Sequence, residues 1–351
     1  MFKSITVSKI ASPYDCIIGS GALGLLTEKI PLVTNARRFL VITDDTVDSL
    51  YSDKLLSLLS DGGFDCVKFV FPHGENHKNL GTVSDILEFA ADNRFTRSDG
   101  IIALGGGICG DVAGFAAAIM LRGIDFIQIP TTFLAMIDSS VGGKTGVNLV
   151  HGKNLAGAFY QPKLVICDTD FLDTLPPERF SDGTAEAIKY GAVFDKALFD
   201  RLASDFRADI SDIIYRCIQL KATVVAEDEF DNGRRQLLNF GHTIGHAIEK
   251  CSDFEISHGH AVAIGMVMAA RAAYKTGISS EDFSPAIADI LSRNNLPSST
   301  DIPASDLLSV MLLDKKRKSG SITLVLPKKI GECVLHKIPV CELENFINLA
   351  I

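Results

Sequence analysis

Short, wholly apolar runs recur through the first half of the chain, and this rhythm limits the folds open to it. "RFLVITDD" (38–45), "FDCVKFVF" (64–71), "GIIALGG" (100–106), "DFIQIPTT" (125–132) and "KLVICDTD" (163–170) have the length and composition of buried strands. Helix-like segments such as 80–93 and 111–121 lie between them. Strands with no polar face must be covered on both sides, so the pattern predicts a parallel sheet with helices on each face. After "LPPERF" (175–180) the rhythm changes. Helical stretches follow at 182–204, 207–226, 241–250, 259–276, 282–294 and 304–313, and only "SITLVLP" (321–327) resembles one member of a strand pair. Two prolines at 176 and 177 discourage helix, and they set the expected boundary between an α/β domain, 1–176, and a mainly α-helical domain, 177–351.

Charge and cysteine content narrow the function classes. The chain carries 34 basic and 43 acidic residues, a net charge of −9. Broad nucleic-acid binding needs basic surface to neutralise phosphates, so no nucleic-acid partner is expected. The balance leaves room for a local basic pocket. The 8 cysteines are scattered with no Cys-x-x-Cys pair, and Cys109 and Cys167 sit in apolar runs, as small hydrophobes do. This suits a reduced, cytoplasmic protein. The opening "MFKSITVSKIASPYD" has no long apolar core, so no signal peptide is expected. The most apolar stretches, near 101–121 and 259–273, are broken by glycine, Asp111, His260 or Arg271. Neither supplies the about 20 clean apolar residues of a membrane span.

Three features carry chemistry. In "IIALGGGICGDVAGF", Gly105, Gly107 and Gly110 have G-x-G-x-x-G spacing between a strand and a helix. Glycine lets the backbone approach a pyrophosphate, and the helix start offers N–H groups and positive dipole. A dinucleotide fold expects its ribose-binding acid at the end of the next strand; here that strand ends in Thr131 and Thr132, and the strand-end acid, Asp44, comes earlier. Second, "DSSVGGKTGVN" (138–148) and "HGKNLAGAFYQP" (151–162) are rich in Gly, Ser, Thr, Lys and Asn. They place Lys144, Lys153 and Asn154 on expected loops at the carboxyl edge of the sheet. GGKTG resembles the end of a P-loop, but the first glycine of that motif would fall on Asp138, which excludes the NTPase reading. A site for an anionic, hydroxyl-rich small molecule remains.

The third feature is histidine. "LNFGHTIGHAIEK" (238–250) puts His242 and His246 on one helix face, and "SHGHAVAIGM" puts His258 and His260 at the start of another helix. A single such histidine is ordinarily a packed or capping residue. Four of them together with Glu186, the helical carboxylate of "GTAEAIKYG", point instead to a metal with mixed His and carboxylate ligands. H-E-x-x-H is absent, so this is no zincin protease.

Taken together, "ALGGGICGDVAGFAAAIMLRG", "IQIPTTFLAMIDSSVGGKTGVN", "GKNLAGAFYQP", "GTAEAIKYG", "LLNFGHTIGHAIE" and "HGHAVAIGM" strongly resemble the 3-dehydroquinate synthase family, in order, from about residue 38 to 331. The resemblance implies a Rossmann-like NAD-binding α/β domain and an α-helical metal- and substrate-binding domain, with the active site in the cleft between them. It implies a cytoplasmic homodimer that binds no membrane. The implied activity converts the sugar phosphate 3-deoxy-D-arabino-heptulosonate 7-phosphate to 3-dehydroquinate and phosphate, the second step of the shikimate pathway. The implied cofactors are NAD+, used transiently, and a divalent metal, Zn2+ or Co2+. The implied metal ligands are Glu186, His242 and His258. The implied substrate set is Arg122, Asp138, Lys144, Asn154, Lys189, Lys221, Arg235, Asn239, His246 and Lys316, with Lys315 as the alternative to Lys316. The family's arginine at the place of Arg122 reaches substrate phosphate across the dimer. The implied NAD set is Asp44, Glu75, Lys78, Gly106, Gly107, Asp111, Thr131, Thr132, Lys153, Thr174 and Leu175, with Asp44 on the adenosine ribose.

Two positions depart from the family pattern. His260 stands where "HGE" is usual, which leaves His258 and His260 as competing ligands, with alignment favouring His258. Glu178-Arg179 inverts the usual Arg-Glu order. The alternatives are another sugar phosphate cyclase, such as 2-deoxy-scyllo-inosose synthase, or a metal- and NAD-dependent alcohol dehydrogenase. Only the dehydroquinate type needs cations for a substrate carboxylate, and Lys221 with Arg235 fits that need.

Overall fold

The computed structural model describes residues 2–315 and 320–351. The chain divides into two units: residues 1–176 with 210–230, and residues 177–209 with 231–351.

The first unit is built on a seven-stranded sheet. Its strands are β1 (Lys3–Val7), β2 (Tyr14–Gly19), β3 (Arg38–Asp44), β4 (Asp65–Phe71), β5 (Gly100–Gly105), β6 (Asp125–Pro130) and, after a separate hairpin, β9 (Leu164–Asp168). The hairpin pairs β7 (Lys144–Leu149) with β8 (Gly152–Phe159). The sheet order is β1-β2-β9-β6-β5-β3-β4. Every neighbouring pair is parallel except β1 with β2, so an antiparallel edge strand closes one side. β5 is buried throughout and β3 at all but its ends, the continuous apolar composition that parallel strands require.

The Gly107–Ile119 helix is apolar nearly all round because it is covered on more than one side. A Cβ at Gly110 would meet the Gln128 amide oxygen of β6 at 2.7 Å, and one at Gly114 would meet Thr145 Cγ2 of β7 at 2.5 Å. Small residues therefore let this helix lie against both the sheet and the hairpin.

Three expectations are corrected. Lys144, Lys153 and Asn154 lie on β7 and β8 and not on loops. The glycine density that suggests a loop serves close strand pairing, since a Cβ at Gly146 would meet the Ala156 carbonyl oxygen at 2.6 Å. The Ile210–Glu227 helix belongs to the first unit, although it follows Pro177 in the chain. Its buried stripe of Ile213, Ile214, Cys217 and Ile218 has its neighbours on β1, β2 and the Ala135–Ser139 turn, and Asp212 pairs with Lys3 of β1. The strand at 321–327 is longer, Ser321–Lys329, here β10, and its antiparallel partner is β11 (Glu332–Pro339), a strand without a clear sequence signal.

The second unit centres on the His258–Lys275 helix, whose buried residues run on all sides. It crosses the Pro177–Phe194 and His242–Cys251 helices at backbone contact distance. A Cβ at Gly259 would meet the Asp182 carbonyl oxygen at 2.5 Å, and one at Gly245 would meet the Ala261 backbone at 3.1 Å. Glycine at these crossings brings three helices closer than side chains normally allow. No helix among the described residues is long and apolar enough to cross a membrane.

Candidate functional site

In the helical unit, the close crossings deliver three donors to one point. Glu186 sits in the middle of the Pro177–Phe194 helix and is 1% exposed. His242 opens its helix directly after Gly241, whose φ of +79° turns the chain into the first turn. His258 opens the next helix after the extended Ser257. Nε2 of His242 lies 3.5 Å from Glu186 Oε1, and Nε2 of His258 lies 3.4 Å from the same oxygen. The other carboxylate oxygen, Oε2, pairs with the buried Lys189 ammonium.

The second nitrogen of each ring is also engaged. His242 Nδ1 is 3.2 Å from the Phe240 carbonyl oxygen, and His258 Nδ1 is 3.4 Å from Glu249 Oε2. In the tautomer that binds a metal, a ring with an acceptor at Nδ1 keeps its proton there and presents the Nε2 lone pair inward. The ligand atoms of Glu186, His242 and His258 all lie within 4.8 Å of one another. Two imidazole lone pairs and a carboxylate converging in this way fit a divalent metal with a position left for substrate or water. Burial, opposed only in part by Glu186, pulls the His242 imidazole down to about 3. Burial pulls His258 the same way, but hydrogen bonding to Glu186 and Glu249 outweighs it and pushes the metal-free ring up to about 10, so a metal there takes the place of the proton at Nε2.

His246 is exposed, with Nε2 4.0 Å from Glu249 Oε2. His260 is drawn elsewhere: its Nδ1 lies 3.0 Å from Asp182 Oδ1 and 2.8 Å from Ser257 Oγ, and Ser257 donates to the same Asp182 oxygen at 2.5 Å. Burial would raise the Asp182 carboxyl, yet these bonds from His260 and Ser257 hold it below the usual range. Of the two competing histidines, His258 is the one grouped with Glu186. Arg235 is buried and Asn239 exposed on the Arg234–Asn239 turn. Lys316 lies outside the described residues.

In the first unit, most of the expected nucleotide residues lie just beyond the carboxyl ends of the strands, whereas Arg122 precedes the amino end of β6. Asp44 ends β3 and accepts from Val47 N–H at 3.0 Å; burial raises its carboxyl. Gly106 is the N-cap of the Gly107–Ile119 helix and offers no side chain to occupy the first-turn N–H groups. A Cβ at Gly107 would meet Ser139 Oγ at 2.9 Å. A bare helix start of this length fits a pyrophosphate. Thr131 donates its N–H to Gly105 O at 3.0 Å, and Thr132 Oγ1 accepts from Ala135 N–H at 3.2 Å, so β6 ends beside the glycine turn.

Lys78 joins the two halves of this edge. Its Nζ donates to Asp111 Oδ2 at 2.5 Å and to Asn154 Oδ1 at 2.6 Å. Burial raises the Asp111 carboxyl, with Lys78 opposing it. Asn148 donates to Glu75 Oε1 at 2.7 Å and accepts from Asn154 N–H at 2.8 Å. Lys221 donates to Asp138 through both the side-chain and main-chain oxygens, the latter at 2.6 Å. Thr174 pairs with the Tyr51 hydroxyl, and Leu175 follows it half-buried. Arg122 stands exposed on a turn in which Leu121, Arg122 and Gly123 have φ of +51°, +72° and +117°.

Sequence reasoning missed Asn148, Glu249, Asp182 and Ser257. A signal existed for Glu249: three residues beyond His246 on the same helix, it borders that histidine on the helix surface.

This is the fold of the sugar phosphate cyclases. The solved 2-deoxy-scyllo-inosose synthase in complex with carbaglucose-6-phosphate, NAD+ and Co2+ matches with a TM-score of 0.87 at 27% identity, over 98% of this chain and 99% of that one. The 2-epi-5-epi-valiolone synthase of Streptomyces hygroscopicus subsp. jinggangensis 5008, solved with NAD+ and Zn2+, matches with a TM-score of 0.84 at 26% identity, over 96% of each chain. Residues 68–182 match the 3-dehydroquinate synthase N-terminal family, and residues 183–317 match the 3-dehydroquinate synthase C-terminal family. The 3-dehydroquinate synthase of Streptococcus suis (strain 05ZYH33) is 42% identical over 354 residues, 98% of this chain and 99% of that protein. The chain belongs to the 3-dehydroquinate synthase family.

Proposed function

We propose that the chain converts 3-deoxy-D-arabino-heptulosonate 7-phosphate to 3-dehydroquinate and inorganic phosphate, as a carbon–oxygen lyase of the shikimate pathway. It works in the cytoplasm as a homodimer with NAD+ and a divalent metal, zinc or cobalt. The observation that carries this reading is the convergence of the His242 and His258 Nε2 atoms on one oxygen of Glu186. Those three residues would hold the metal. Asp44, Lys78, Gly106 and Gly107 would hold NAD+, together with the smaller contacts of the same strand ends. When bound, NAD+ takes up and returns a hydride, and the metal polarises substrate oxygens.

The conversion balances as substrate giving dehydroquinate plus phosphate, with no net oxidant, so the nucleotide is regenerated in every turnover. What the chain's own side chains contribute is anion binding and proton handling. Lys144, Lys221, Arg122 and Arg235 supply cations for a substrate that carries both a phosphate and a carboxylate. Lys189, paired with Glu186, offsets the charge of the buried carboxylate. His246, exposed beside Glu249, holds or releases a proton at Nε2.

The test compares two substrates. Supplied with NAD+ and zinc, the protein is expected to release phosphate from the heptulosonate phosphate and to leave glucose 6-phosphate, which has no carboxylate, essentially untouched. Turnover of glucose 6-phosphate in place of the acid sugar would move the chain to a sister cyclase.

A further inference from the structure

Glu249 is neither a metal ligand nor a substrate contact in the reading above, yet it is 3% exposed inside the His242–Cys251 helix. Burying a carboxylate is unfavourable unless it is bonded or paired. Its Oε2 lies 3.4 Å from His258 Nδ1 and 4.0 Å from His246 Nε2. One oxygen therefore addresses both the ring whose other nitrogen faces Glu186 and the exposed ring one turn away on its own helix. Phe240 O plays the corresponding part for His242, but as a neutral carbonyl. The two rings thus differ in their support: His242 leans on main chain, whereas His258, at the first position of its helix, depends on a side chain from another helix.

We propose that Glu249 is a positioning residue for the metal centre: through His258 Nδ1 it fixes the tautomer and orientation that aim Nε2 at the metal. The inference rests on the metal-centre reading of Glu186, His242 and His258. The same atoms also allow a rival role, because His246, Glu249 and His258 themselves present ligand atoms within 4.8 Å of one another. In that case Glu249 would be a ligand of a second ion. The positioning role is favoured because the metal grouping already uses His258, and a second ion on its Nδ1 would require that ring to lose both protons.

The experiment measures Co2+ affinity and the visible Co2+ spectrum of metal-free protein, by chelator competition, for wild type, Glu249→Gln and Glu249→Ala. One equivalent is expected in wild type. Glu249→Ala is expected to bind about 10- to 100-fold more weakly with an altered spectrum. Glu249→Gln, whose amide oxygen can still accept from Nδ1, falls between the two. Melting of the metal-free proteins identifies any variant that has not folded; if the alanine variant fails there, the glutamine variant carries the test and must bind several-fold more weakly than wild type. Wild-type affinity and spectrum in folded Glu249→Ala would overturn the proposal. So would two equivalents in wild type with only the second lost on substitution, which makes Glu249 a ligand. No Co2+ binding by wild type would instead remove the metal centre itself.

Discussion

His242→Ala is expected to purify without metal and to lose turnover by about a thousand-fold, the ~4 kcal/mol of transition-state stabilisation a Lewis-acid metal supplies. Its metal-free form should melt within a few degrees of metal-free wild type, because the ring is already held neutral by burial and leaves no charge behind. Glu186→Ala should lose metal and turnover equally but also melt well below it. Lys189 pairs with Glu186 and is 1% exposed, so removing the carboxylate takes a counter-charge away from a buried ammonium. Breaking such a pair from one side costs about 3–5 kcal/mol. Metal analysis of the purified variants, with melting of the chelated proteins, reads both effects. Full metal content in His242→Ala would show that the ligands are misassigned.

The second large effect concerns a residue with no functional group. A Cβ at Gly265 would lie well inside van der Waals distance of the Gly241 carbonyl oxygen and 3.0 Å from Gly245 N. Both near atoms are backbone, so no side chain can swing aside. Gly265→Ala must push the His242–Cys251 helix away from the His258–Lys275 helix, at a cost of about 2–3 kcal/mol and a fall in melting midpoint of roughly 3–4 °C for a chain of this size. Because Gly241 immediately precedes His242, the same displacement carries a metal ligand with it, and weaker Co2+ binding should accompany the lower midpoint. An alanine variant that melts and binds as wild type would mean the helices do not cross at this distance.

The parallel sheet was legible because strands buried on both faces leave an unbroken apolar signature, as in β3 and β5. β1 was not, because an antiparallel edge alternates between half-buried and exposed positions and looks like surface chain. The Ile210–Glu227 helix shows the limit of periodicity. An apolar stripe states that a helix buries one side, not which unit covers it. The hairpin β7–β8 was hidden by its own glycines, since glycine marks both a turn and a close approach of backbones. At the metal centre, the spacing of His242 and His246 was visible, but the separate fates of the two rings were not. Those depend on which one the helix crossing turns toward Glu186. His258 and His260 pose the same problem. Two residues apart on a helix they point in different directions, and Asp182 and Ser257, distant in sequence, take His260.

The chemistry proposed for this chain is a nucleotide- and metal-dependent cyclisation without net oxidation. Its most direct test follows phosphate release and absorbance at the NADH band together, in one cuvette, with the heptulosonate phosphate, NAD+ and zinc. Steady phosphate release is expected with no accumulation of NADH, stopped by a chelator and restored by added zinc or cobalt. NADH rising in step with substrate consumed would contradict it and make the chain a dehydrogenase on the same fold.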